Sequence, residues 1–166
     1  MKRGCKKGQM KLSFGMIFSI ILIIVFIGFA FYAIKTFLIL QDSAGTGKFV
    51  GDIQSDINKV WNSEQASQEE TYSLPSGIQY VCFTDFFSSG KGAKSHLYEE
   101  LKDTFFGNEN MVFYPIGSSD FDSTEVDYID IEKITEEENP FCIENDGEIR
   151  IRLEKGFGEA LVTITR

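Results

Sequence analysis

Leu12 to Ile34 reads LSFGMIFSIILIIVFIGFAFYAI, 23 residues without a charge. A helix of that length reaches about 35 Å at 1.5 Å rise per residue, and the hydrocarbon core of a bilayer is about 30 Å thick. Inside lipid every backbone N–H and C=O must be satisfied within the segment, so a single span has to be helical. Lys11 and Lys35 bracket the run, with Tyr32 and Phe37 near its distal end, where interfacial aromatics belong. A cleavable secretory signal has a shorter apolar core and a small-residue cleavage site. Gly28-Phe29-Ala30 matches such a site poorly and lies within the run. The stretch therefore predicts a transmembrane helix.

Charge divides around this segment. Lys2, Arg3, Lys6, Lys7 and Lys11 precede it without an acid, and the first acidic residue is Asp42. From residue 41 onward, ten basic residues stand against all 25 acidic ones, a net charge of −15 that the whole-chain value of −9 conceals. By the positive-inside rule the N-terminus lies in the cytoplasm and the rest outside the cell membrane. An acidic surface repels phosphates, so no nucleic-acid partner is expected, and the excess acid keeps the domain soluble. The expected organisation is a basic cytoplasmic leader over 1–11, a transmembrane helix over 12–40, a linker or kink at 41–47 containing Gly45 and Gly47, and an extracytoplasmic domain over 48–166.

Ahead of the apolar run stands Lys6-Lys7-Gly8-Gln9. Here the chain resembles archaeal type IV pilin-like proteins, whose class III signal peptide is a short basic leader ending in Gly, followed by Gln and a hydrophobic helix. The resemblance implies processing between Gly8 and Gln9 on the cytoplasmic side, leaving the helix attached, and homo- or hetero-assembly through that helix. Many members carry a glutamate at the fifth position after the cut, where this chain has Ser13. An uncleaved bitopic protein presenting a ligand- or partner-binding domain is the alternative.

Beyond the membrane segment an α+β fold is expected. Phe49, Ile53, Ile57, Val60 and Trp61 mark one face of an amphipathic helix that covers an antiparallel sheet. Residues 62–71 are polar and read as a loop. Strands are expected over 78–86, 111–116 and 126–134, with a helix over 95–105. Asn145-Asp146-Gly147 signals a hairpin, and Gly156 and Gly158 a second turn. Together they predict a C-terminal three-strand meander from Phe141 to Ile164, with Ile149, Ile151 and Leu153 on its apolar face.

The chemistry in this sequence is sparse. Cys82 and Cys142 fall in expected strands outside the cell, which predicts a disulfide between them, whereas Cys5 lies in the leader. Gly45-Thr46-Gly47-Lys48 resembles the end of a phosphate-binding loop, but Asp42 and Phe49 stand where that motif needs Gly and Ser or Thr. His96 is the only histidine, and no base is paired with a nucleophile by sequence. Asp120, Asp122 and Thr124 begin like a calcium loop, but Glu125 occupies its glycine position. The expectation is a non-catalytic chain with no catalytic, cofactor-binding or metal residues and no cofactor, whose first partner is the lipid bilayer.

Overall fold

A computed structural model describes residues 14–105, 107–119 and 121–166. The chain divides into two compact units, Met1–Leu40 and Gln41–Arg166. Helix α1, Phe14–Trp61, belongs to both. In the first unit its large apolar side chains, from Phe14 to Leu40, are exposed. By length and composition this is a helix able to cross a membrane.

In the second unit α1 carries the predicted apolar stripe. Phe49, Ile53, Ile57 and Val60 are all buried, as the three- and four-residue spacing requires. Residues 41–47, the expected linker or kink, are helical. Gly45 serves close approach: a β-carbon there would lie 3.3 Å from Pro75 Cγ. The helix ends at Trp61, where Lys155 Nζ donates to the carbonyls of Trp61 and Ser63. A cation there satisfies otherwise orphaned acceptors and complements the negative end of the helix dipole.

Two antiparallel sheets follow. One has the order β1–β6–β7, formed by Ala66–Ser73, Glu148–Lys155 and Thr163–Thr165. The other has the order β4–β3–β2–β5, formed by Ser123–Thr124, Met111–Tyr114, Tyr80–Phe83 and Phe141–Glu144. Helix α2, Ser95–Thr104, and the single turn α3, Ile131–Ile134, complete the α+β fold.

The three-strand C-terminal sheet differs in membership from the expected meander. β6 and β7 pair as predicted, whereas β5 pairs with β2, and the third place beside β6 is taken by β1. Asn145-Asp146-Gly147 therefore carries the chain between sheets. Asn145 Nδ2 donates to the carbonyls of Pro75 and Ile78 at 3.0 and 2.7 Å, tying this turn to the β1–β2 connection. β1 also replaces part of the expected loop at 62–71. It is an edge strand with hydrophilic residues on both faces, and Glu69 pairs with Arg152 at 2.8 Å across the ladder.

The segment 126–134 is a turn-rich passage ending in α3, not a strand. Asn110 binds both the N–H and the C=O of Val126, at 2.8 and 2.9 Å, doing with a side chain what a neighbouring strand would do. Asp130 then caps α3 by accepting from Lys133 N at 3.0 Å. The apolar residues of the segment, Val126, Ile129 and Ile134, still reach the core.

The main core joins the α1 stripe to Ile149, Ile151 and Leu153 of β6 and to Val81, Phe83, Met111 and Phe113 of the other sheet. Phe49 packs edge-on against Tyr72 and Phe113, with centroids 5.3 and 5.9 Å apart. On the opposite face of the β2-containing sheet, Cys82, Val112 and Cys142 meet Leu97 and Leu101 of α2. Burial on both faces explains why β2 and β3 read as unbroken apolar runs.

Candidate functional site

The apolar part of α1 is the first candidate, because a long run of exposed Ile, Phe, Leu and Val needs an apolar surrounding. Its polar side chains bond locally: Ser19 Oγ donates to Gly15 O at 2.8 Å and Thr36 Oγ1 to Tyr32 O at 3.0 Å. Such back-bonding to the preceding turn leaves little polar surface unsatisfied in lipid. Gly8 and Gln9, the expected processing residues, lie outside the described residues, as does Ser13.

Cys82 and Cys142 form a disulfide between directly opposed positions of β2 and β5. Both are buried under α2, so the bond staples the sheet from its interior. Neighbouring aromatic residues divide by exposure. Phe86 and Phe105 are half-buried against this cluster, whereas Phe87 is 92% exposed.

The other side chains considered from the sequence are scattered. His96 is exposed in the first turn of α2. Asp122 Oδ1 accepts from Gly117 N at 2.8 Å and shapes its own loop, Thr124 lies in β4, and Asp120 is outside the described residues. Among the described residues no three His, Cys, Asp or Glu side chains gather in an arrangement that could hold a metal.

Some charged groups of the second unit are paired. Asp56 accepts from Lys59 Nζ at 2.7 Å and from Tyr72 Oη at 2.8 Å. Burial first, then the bond to Asp56, raises the Tyr72 phenol above its ordinary value. Lys59 is raised by the same carboxylate. Lys94, with its ammonium 3.6 Å from the centre of the Tyr80 ring, is lowered chiefly by burial and then by Arg166.

A cleft of 520 Å³ opens between α3 and β7, lined in part by Lys133, Glu138, Phe141 and Arg166. Its cations are engaged: Lys133 with Glu159 at 2.6 Å, and Arg166 with Glu138 and over the Phe141 ring at 4.7 Å. Glu136 and Glu137 also line it, so the rim keeps an excess of acid. Asn139, which the sequence reading passed over, is wholly buried and binds the 85–89 loop through four hydrogen bonds. The only local sign of it was an Asn-Pro pair, which marks a turn without revealing a partner some fifty residues away.

No protein-family model matches the chain, and no match to a curated protein or to a solved structure was found.

Proposed function

We propose that this chain is a non-catalytic, single-pass membrane protein that displays an acidic disulfide-bonded domain outside the cytoplasm, as a pilin-like structural or minor assembly subunit. The observation that carries the reading is the division of α1. One stretch of the helix exposes apolar side chains all round, and another buries a single stripe against sheets. The first suits lipid, or copies of itself in a filament, while the second is an ordinary helix–sheet contact. A long apolar N-terminal helix leading into an antiparallel-sheet domain is also the plan of pilin-like proteins.

The basic leader and the disulfide agree on sidedness. Five basic residues before the span favour a cytoplasmic N-terminus, and a disulfide persists in an oxidising exterior. Cleavage after Gly8 removes Lys2, Arg3, Lys6 and Lys7, keeps Lys11, and frees the helix to move laterally into an assembly.

Ser13 favours a second reading, an uncleaved bitopic protein, because it leaves no carboxylate to pair with a neighbouring subunit's new N-terminus. Mass spectrometry of the mature protein separates the two. A chain beginning at Gln9 supports the pilin-like subunit, and one retaining Lys2 to Gly8 contradicts it.

A further inference from the structure

A cleft of 230 Å³ has Thr84, Asp85, Phe86, Phe87, Glu109 and Glu125 in its walls. Three of its residues are acidic and none is basic. Two atoms of these wall residues are buried and unpartnered: Thr84 Oγ1, on a side chain only 1% exposed, and Glu109 Oε2. Native folds rarely leave such atoms without a partner. A carboxylate oxygen can only accept, and a hydroxyl can accept as well, so the complement missing from both is a donor. Among acids, a donor that carries positive charge is favoured.

The cleft is held in shape before any ligand arrives. Asn139 Oδ1 accepts from Asp85 N at 3.2 Å, and its Nδ2 donates to Asp85 O and Ser88 Oγ, each at 2.9 Å. Phe87 N donates to Asp85 Oδ1 at 2.9 Å, so the exposed phenyl sits on a pinned loop. Preorganisation of this kind lowers the ordering cost of binding. A bare metal ion fits poorly, since the three acids of the wall do not converge in an arrangement that could hold one and the space exceeds what a directly held ion fills. An apolar stem ending in a cation fits better. Its methylenes would lie against Phe86 and Phe87, and its N–H groups would face the wall that holds Thr84 and Glu109.

We propose that this cleft receives the terminal cation of a lysine or arginine side chain presented by a partner protein. The inference stands on the second unit alone and does not depend on whether the leader is cut.

The test uses full-length, isotope-labelled protein in detergent micelles, titrated with n-butylammonium and n-butylguanidinium while the amide resonances of residues 84–87 and 109 are followed. Saturable shifts at those residues are expected with one or both cations, the better binder distinguishing lysine-like from arginine-like recognition. Thr84→Val and Glu109→Gln each weaken binding about tenfold. Thr84→Ser, which keeps the hydroxyl, retains it, as does Asp103→Asn outside this cleft. Butyltrimethylammonium, which has the charge without N–H donors, binds more weakly. The proposal is overturned if neither cation gives saturable shifts, if the trimethylated cation binds equally well, if calcium alone saturates the same resonances, or if native-like spectra of Thr84→Val and Glu109→Gln accompany undiminished binding.

Discussion

Asp56 shows how single side chains stabilise this domain. Its carboxylate satisfies a buried phenol and a surface ammonium together. The unfolded chain releases the Tyr72 proton near pH 10, while the folded domain holds it to higher pH. The folded state therefore binds more protons above about pH 10, so stability is intact below that pH and falls as pH rises past it. Lys59, also raised, adds a loss in the same direction. Thermal melts followed by circular dichroism are expected to show an alkaline decline that is shallower in Tyr72→Phe. That variant costs about 1 kcal/mol at neutral pH through the lost hydrogen bond. Identical alkaline slopes in the two proteins would remove Tyr72 from the explanation. Three asparagines do comparable work across long separations. Asn110, Asn139 and Asn145 each bond to backbone groups far along the chain, and nothing in their immediate neighbours announces those partners.

Elements were legible in the sequence where their own periodicity carried the information. The stripe of Phe49, Ile53, Ile57 and Val60, the alternation of Ile149, Ile151 and Leu153, and the facing cysteines all reach their expected surroundings. β1 was illegible because it is an edge strand defined by its pairing with β6, and Gln68, Glu69 and Glu70 give no apolar alternation. The destination of β5 was hidden for a related reason: a turn motif specifies a local bend, not which sheet the next strand joins. The cleft lined by Phe86 was equally hidden, since Thr84 and Glu109 come together only once β2 and β3 pair. The disulfide belongs to this scale as well. Closing a loop across a separation of 60 residues stabilises by about 4 kcal/mol through the unfolded chain. A Cys82→Ser/Cys142→Ser double variant is expected to lose most of that in urea titration. A loss below about 1 kcal/mol would show that packing under α2 suffices without the bond.

At the scale of the whole molecule, composition and charge lead to the same arrangement. Five bases precede the apolar segment and only Lys35 follows it closely, whereas residues 41–166 carry a net charge of −15 with every acid in the chain. An excess of acid of this size favours solubility and repels anionic lipid headgroups. The most direct test places a flexible epitope tag after Arg166 and adds proteinase K to intact cells. The tag is expected to disappear without permeabilisation, while the N-terminal segment stays with the membrane fraction. A tag that survives until the cells are lysed would contradict a domain held outside by Leu12–Ile34.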